Sequence, residues 1–307
     1  MGSDRQTSLQ KNLQLRARII QAIRSFFVDR DYIEVETPIR IPAPAPEAHI
    51  DAVESGESFL QASPELCMKR LLSAGIHRIF QICKCFRQGE RGRLHLPEMT
   101  LLEWYRTDSD YFDMMDECEA LINSVARRNG SKEEILIYQG KEIKLTPPWP
   151  RISVREAFEK WGSIPLHVVL EHGQFDEIMV EEIEPNLAQT QPVFLYDYPA
   201  SRAALARLKP QDLRYAERFE LYIGGLEICN AFSELTDPVE QRERFEREKE
   251  TRRKSGKPVY PMPQKFLTAL GNMPAAAGNA LGIDRLVMLF SDSKQIDDVV
   301  AFTPEEL

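Results

Sequence analysis

The run from Phe80 to Tyr105, FQICKCFRQGERGRLHLPEMTLLEWY, constrains the fold of this chain more than any other stretch. It opens with period-two alternation. Gln81, Cys83, Cys85 and Arg87 share one face, and Phe80, Ile82, Lys84 and Phe86 share the other, as in a β-strand. A loop with Gly89, Gly92 and the arginines Arg87, Arg91 and Arg93 follows. The chain returns through Pro97 and Glu98 into a second apolar run ending at Tyr105. An arginine therefore stands at the end of a rigid strand, beside a basic loop. That placement suits gripping a phosphate above a bound small molecule. A hairpin with a solvated basic turn would carry the same letters, so the rest of the chain has to decide.

Other segments indicate an α+β fold in which a sheet is flanked by helices. Leu9, Leu13, Ile19, Ile20, Ile23, Phe26 and Phe27 recur at helical spacing. Ile33 and Val35 alternate with glutamates in a strand stopped by Pro38. Ser63 and Pro64 start a helix that Gly75 closes. A long helix spans about Tyr111 to Arg128, and a hairpin turns at Gln139-Gly140. Ser153 and Glu156 form a capping box. Val193 to Tyr198 reads as a strand, and Phe219 to Phe232 as a hairpin around Gly224-Gly225. Asp237, Pro238 and Glu240 start a charged helix ending near Gly256. Its Glu243–Arg247, Glu248–Arg252 and Glu250–Lys254 spacings read as a solvated face.

Composition narrows the function classes. The 307 residues are 43% apolar and 28% charged, enough for a core and ordinary for a soluble protein. The formal net charge of -9 argues against a chain-wide nucleic-acid surface. Cys67, Cys83, Cys85, Cys118 and Cys229 are an odd, scattered set that fits reduced thiols in the cytoplasm. No second Cys/His pair completes a zinc site beside Cys83 and Cys85. No apolar run approaches a membrane span, and no signal peptide is present. The polar start is expected to be a disordered tail over residues 1–8, with residues 9–307 forming a single domain.

The Gly-Gly hairpin carries its own chemistry. A two-residue turn pairs Ile223 with Leu226, so Tyr222 faces Glu227 and Glu220 faces Cys229. Glu220 and Glu227 then lie diagonally on one face, roughly 7–8 Å apart at the backbone. Such a pair can hold one divalent ion, which for Mg²⁺ usually adds substrate phosphates. Two exposed glutamates on a sheet face would read alike. Strict alternation places Glu234 on the face opposite Glu227, so one pocket for both needs a bend between Asn230 and Ser233. Gly278, Asn279 and Gly282 precede Arg285, where small residues let a ligand approach the backbone. A surface Asp284–Arg285 pair is the plainer alternative. Neither a dinucleotide fingerprint nor a P-loop occurs.

Three separated segments, VETPIRIPAP, FRQGERGRLHLPEMTLLEWY and ALGIDRLVML, resemble motifs 1, 2 and 3 of the class II aminoacyl-tRNA synthetases. SPELCMKRLL and LEICNAFSEL resemble the lysyl branch. The likeness runs from about Leu9 to Phe302. Lysyl-tRNA synthetases carry an OB-fold ahead of this unit, whereas one helix precedes motif 1 here. In this the chain resembles the paralogue group that ligates (R)-β-lysine to elongation factor P. Ala280, where the synthetases generally have glycine, points the same way, since its methyl trims the pocket floor.

The resemblance implies ATP as a substrate, Mg²⁺ as the metal, a homodimer, and a lysine-type amino acid. Arg87 would hold the α-phosphate and the substrate carboxylate, and Arg285 the γ-phosphate of a bent ATP. Glu220 and Glu227 would bind Mg²⁺. Ser63 and Glu65 would meet the amino group near the carboxylate. Tyr105 and Glu234, with Asn230 close by, would bind the distal ammonium. Gln88, Gly89, Glu90, His95, Leu96, Met99, Glu227, Ile228 and Gly282 would complete the ATP site. Three departures stand out. Gly89 replaces a usual glutamate, for which Glu90 is the substitute; Leu96 replaces an asparagine; and Met99 replaces a phenylalanine that stacks on adenine. The implied function is adenylation of (R)-β-lysine or lysine and its transfer to a lysine of elongation factor P. The alternatives are a core that acylates tRNA and a non-catalytic lysine sensor.

Overall fold

Two helices lead the chain in this computed structural model, which describes residues 2–130 and 134–307. They are α1 (Gly2–Ser8) and α2 (Gln10–Val28). Met1, part of the tail expected over residues 1–8, lies outside the described residues; Gly2–Ser8 is helical rather than disordered. Arg5 accounts for the difference, because its guanidinium donates to Glu306 at 2.7 Å and to the Asp297 carbonyl at 2.5 Å. Short strands β1 (Ile33–Glu34), β2 (Arg40–Ile41), β3 (Glu54–Ser55) and β4 (Ser58–Leu60) follow, the last three forming a small sheet. Helix α3 (Glu65–Ser73) leads into β5 (Arg78–Phe86) and β6 (Glu98–Thr107), the hairpin read from the alternating run. Helix α4 (Tyr111–Arg128) is capped by Asp110, whose carboxylate accepts from the Phe112 and Asp113 amides.

The hairpin of β7 (Ile135–Tyr138) and β8 (Lys141–Lys144) turns at Gln139-Gly140. Strand β9 (Arg151–Ser153) ends in the Ser153–Glu156 capping box that opens α5 (Val154–Trp161). Helices α6 (Leu166–Glu171) and α7 (Phe175–Ile178) precede β10 (Val193–Pro199), β11 (Tyr215–Ile223) and β12 (Leu226–Ser233). Helices α8 (Pro238–Lys254) and α9 (Gln264–Leu270), strand β13 (Ala276–Gly282) and helix α10 (Ile283–Phe290) come last. No helix among the described residues is long and apolar enough to cross a membrane.

The large sheet has the order β1-β5-β6-β13-β12-β11-β10-β9. Its centre is antiparallel, and the β1–β5 and β9–β10 pairs at the edges are parallel. Alternation sorts its two faces. Phe80, Leu102 and Trp104 join the core beneath α2, α4 and α10. Glu103 and Tyr105 point the other way. On that side α3, α8 and α9 build a second cluster around Leu66, Phe245 and Phe266. A third cluster packs α5 to α7 against Leu195 and Tyr222. Between these two clusters the sheet face stays open.

Two expectations change. In the β11–β12 hairpin Tyr222 pairs with Glu227, but Leu221 pairs with Cys229 and Glu220 with Asn230. Glu220 thus faces Asn230, not Cys229, and Ile228 is the extra residue of a β-bulge. The bend expected between Asn230 and Ser233 therefore sits earlier. Its cause is apolar burial: Ile228 and Cys229, adjacent in sequence, both enter the core beneath the helices. That reversal returns Asn230, Phe232 and Glu234 to the face of Glu227. The second change is in α8, where Glu243, Arg247 and Lys254 are exposed as expected but Glu248 and Arg252 take other partners. The Glu250–Lys254 pair forms at 3.9 Å, but Arg252 is fully buried. It donates to the Glu47 and Ile50 carbonyls and to Asp51, at 2.8, 3.0 and 2.8 Å. Glu248 accepts from the Ala48 amide at 2.8 Å.

Candidate active site

The open sheet face carries a cavity of about 780 Å³. Ala280 lies at its floor, paired with Glu103 of β6 on one side and Asn230 of β12 on the other. The walls come from the start of α3, the β5–β6 loop and the start of α10, which bring Ser63, Glu65, Arg87, Glu90, His95, Leu96, Met99, Gly282 and Arg285 together. Glu220, Glu227, Ile228 and Tyr105 complete the set of expected residues that line it.

Cations occupy one end. The Arg87 amide donates to the Pro97 carbonyl at 2.9 Å, fixing the strand end. Its guanidinium stands 3.6 Å from Glu90, and its buried Nε has no partner among the described residues. A bound anion would satisfy that donor. Arg285 faces it from α10, donating to the Glu227 carbonyl at 2.9 Å and carboxylate at 3.1 Å, with His95 Nε2 at 2.5 Å. Burial and the Arg285 charge lower the His95 pKa, so the neutral ring accepts from the guanidinium. Asp284 is no surface partner of Arg285; it is buried and accepts from Arg16 and the Thr100 amide at 2.6 and 2.8 Å.

Part of the basic loop lies elsewhere. Gln88 and Gly89 are not in the cavity wall, because the Gln88 amide donates to the Asp51 carbonyl at 2.7 Å and Gly89 turns the chain with φ +79°. Arg91 pairs with Asp297 and Glu305 at 2.9 and 2.8 Å, and Arg93 donates to the Lys294 carbonyl at 3.2 Å. The loop is thus pinned to the C-terminal segment, and only Arg87 among its three arginines serves the cavity.

The carboxylates Glu220 and Glu227 stand on neighbouring strands. Burial first, then the Glu227 charge, raises the Glu220 pKa. Arg218 and the Tyr222 hydroxyl donate to Glu220 at 2.7 and 2.8 Å. Two carboxylates that repel each other beside a cation-lined end fit a divalent ion shared with phosphate oxygens.

The opposite end is acidic. Ser63 accepts from the Glu65 amide at 3.0 Å and donates to Glu103 at 2.7 Å. The Tyr105 hydroxyl donates to Glu103 at 2.9 Å. Burial, then the Glu65 charge, pushes Glu103 up to about 7. Glu234 is not in the cavity wall but is buried behind it, where burial pushes its pKa up to about 8. Its Oε2 pairs with Lys69, and Oε1 has no hydrogen-bond partner among the described residues. Gly278 makes this packing possible. A Cβ there would stand 2.2 Å from the Tyr105 ring and 2.5 Å from Glu234 Oε1.

Residues 2–306 match the family described as tRNA synthetases class II (D, K and N). The chain belongs to this family. It is 40% identical to the elongation factor P–(R)-β-lysine ligase of Erwinia tasmaniensis, over 95% of this chain and 94% of the relative. The ligases of that name from Pectobacterium carotovorum subsp. carotovorum and Hamiltonella defensa are 39% and 38% identical, each over 96% of this chain and 95% of the relative.

Sequence reasoning missed three charged residues of this class II site. Glu103 stands two residues before Tyr105 on the same strand face. Lys69 stands four residues after Glu65, the helical spacing of an ion pair. Arg218 stands two before Glu220 and also donates to Asn230 at 3.1 Å. Each was available from periodicity relative to a residue already singled out.

Proposed function

We propose that this chain is an ATP-dependent ligase that activates (R)-β-lysine, or lysine, as an adenylate. It then transfers the aminoacyl group to a lysine side chain of elongation factor P. The observation that carries the reading is a single cavity with Arg87 and Arg285 at one end and Glu65, Glu103 and Tyr105 at the other. Such a cavity suits an amino acid with cationic groups whose carboxylate points at a triphosphate. The acceptor is taken from the names of relatives that match along nearly their whole length.

In the first step a carboxylate oxygen attacks the α-phosphorus, forming the mixed anhydride and releasing pyrophosphate. Arg87 pairs with the carboxylate and the α-phosphate, and Arg285 with the outer phosphates. Both hold charge in place before the reaction, so catalysis is positioning plus electrostatics. Glu220 and Glu227 would hold Mg²⁺, which supplies charge neutralisation to the phosphates. Glu65 meets the amino group near the carboxylate, while Tyr105 and Glu103 meet the distal ammonium, with the Glu234 carboxylate behind them. In the second step the acceptor's neutral amine attacks the carbonyl carbon, an amide forms and AMP leaves. Residues 9–307 act as one catalytic unit in the cytoplasm. A second copy docks at the β1 edge, where Val28, Ile33 and Ile39 are exposed.

The deciding experiment is ATP–pyrophosphate exchange with (R)-β-lysine and with α-lysine, followed by transfer assays to elongation factor P and to tRNA. Exchange with at least one lysine, and transfer to the protein, are expected. No exchange with either lysine sinks the enzyme reading, and transfer only to tRNA sinks the acceptor.

A further inference from the structure

Lys69 takes no part in the reaction just described, yet it is enclosed at the acidic end. Helix α3 carries it one turn after Glu65, and its side chain is 1% exposed. Its ammonium lies 2.5 Å from Glu65 Oε1 and contacts Glu234 Oε2 on the far side, with the Phe232 ring centre 5.1 Å away. One cation therefore bridges carboxylates from the start of α3 and the end of β12. Without it the two would repel in a poorly screened setting. Burial pulls the Lys69 pKa down, but Glu234 and Glu65 more than reverse this, so the net direction is up. The ammonium is a resident charge.

Three carboxylates, Glu65, Glu103 and Glu234, can place three negative charges around this end, and Lys69 cancels one of them. We propose that Lys69 is a positioning residue: its ammonium clamps Glu65 to Glu234 and leaves the pocket two positive charges short, which a substrate with two ammonium groups supplies. This rests on the lysine-activation reading above. Lys69 keeps its place when the substrate binds. It is not a stand-in for the substrate's own ammonium.

The test is pyrophosphate exchange with lysine between about pH 6.5 and about pH 8.5, read as the variant-to-wild-type ratio of kcat/KM. That ratio cancels titration of the substrate. In the wild type Glu103 and Glu234 must give up their protons to bind a dication. In Lys69→Met one carboxyl keeps its proton in the complex, because only two positive charges remain. Over the pH range in which the two empty pockets hold equal numbers of protons, the ratio should therefore fall as pH rises, by up to about tenfold per pH unit for one proton. The loss should sit in the KM for lysine, with the KM for ATP within about twofold. Lys69→Arg, which keeps the charge, should restore a flat ratio. Around Lys69 stand Glu65 and Glu234, which it contacts, and Glu103 and Tyr105 beside them; Glu103 and Glu234, with Glu47 next to Glu65, are the carboxyls that titrate in this range. If Lys69→Met fails to fold, Lys69→Met/Glu234→Gln removes the pair together and again leaves a deficit of two. It should show a flat ratio with a raised lysine KM. An unchanged lysine KM in either Lys69→Met variant, or a Lys69→Arg ratio that falls like that of Lys69→Met, overturns this inference alone. A wild type that exchanges with neither lysine overturns it together with the proposed function.

Discussion

The β5–β6 and β11–β12 hairpins flank the same strand, β13, and feed the same cavity, but they are built differently. The first pairs without a slip from Arg78↔Arg106 to Phe86↔Glu98. Its alternation alone sends Leu102 and Trp104 to the core and Glu103 and Tyr105 to the cavity. The second slips at Ile228, because two consecutive apolar residues both find space in the core. A regular hairpin can thus be read by counting in twos. A bulged one cannot, since what lies beneath the sheet decides where the count restarts. The chemistry divides likewise. The regular hairpin supplies Arg87, Glu103 and Tyr105, and the bulged one supplies the Glu220–Glu227 pair and Asn230.

Substitutions on the two hairpins should separate these roles. The largest effect is expected for Arg87→Ala, which removes the charge proposed above to face the reacting phosphate. Exchange kcat/KM should fall by about 10²–10³ with the thermal midpoint unchanged. A loss below tenfold would refute the role given to Arg87. Deleting Ile228 comes next, since it removes the bulge while every native pair from Glu227 to Asn230 can re-form. The deletion should cost about 2–5 kcal/mol of stability, as for a large buried aliphatic side chain. It should raise the KM for ATP while leaving the KM for lysine within about threefold. A lost lysine KM with intact thermal unfolding would show that the bulge serves the other end.

pH links the two hairpins, because Glu103 belongs to the first and Glu234 follows the second. Their carboxyls lie at about 7 and about 8 in the folded chain, above the unfolded value of 4.5. The folded empty pocket therefore holds protons that the unfolded chain has released. That contribution to stability is fully present below 4.5 and is lost as pH rises through 7 to 8. On the proposed reading lysine needs the ionised forms, so its KM should increase as pH falls below about 8, and binding should release protons. Titration calorimetry in buffers of different ionisation enthalpy checks the sign. The smallest effect is expected for Arg91→Ala. Its partners Asp297 and Glu305 lie at the surface, so exchange should stay within about twofold and the melting temperature should hold.

Much of this architecture is legible in the chain itself. Periodicity places α2, α4 and the β5–β6 hairpin, and Gly224-Gly225 marks a turn whose glycines both have positive φ, at 61° and 78°. Capping residues mark α5 and α8, and apolar content decides that a core forms. Other features depend on distant residues. Arg252 reads as half of a surface pair until Glu47, Ile50 and Asp51 arrive from two hundred residues away to take its donors. Arg91 reads as part of a basic loop beside Arg87 until the C-terminal segment neutralises it. Glu234 reads as a direct ligand until Lys69 is found beside it.

The elements, the class of fold and the residue types that could meet a nucleotide and a cationic amino acid are written in the chain. These follow from local rules, namely side-chain period, turn geometry and capping, which act within a few residues. Which charges face the cavity and which neutralise one another is settled by packing. A charged side chain settles by the competing partners within reach, and those partners are set by packing between segments far apart in the chain.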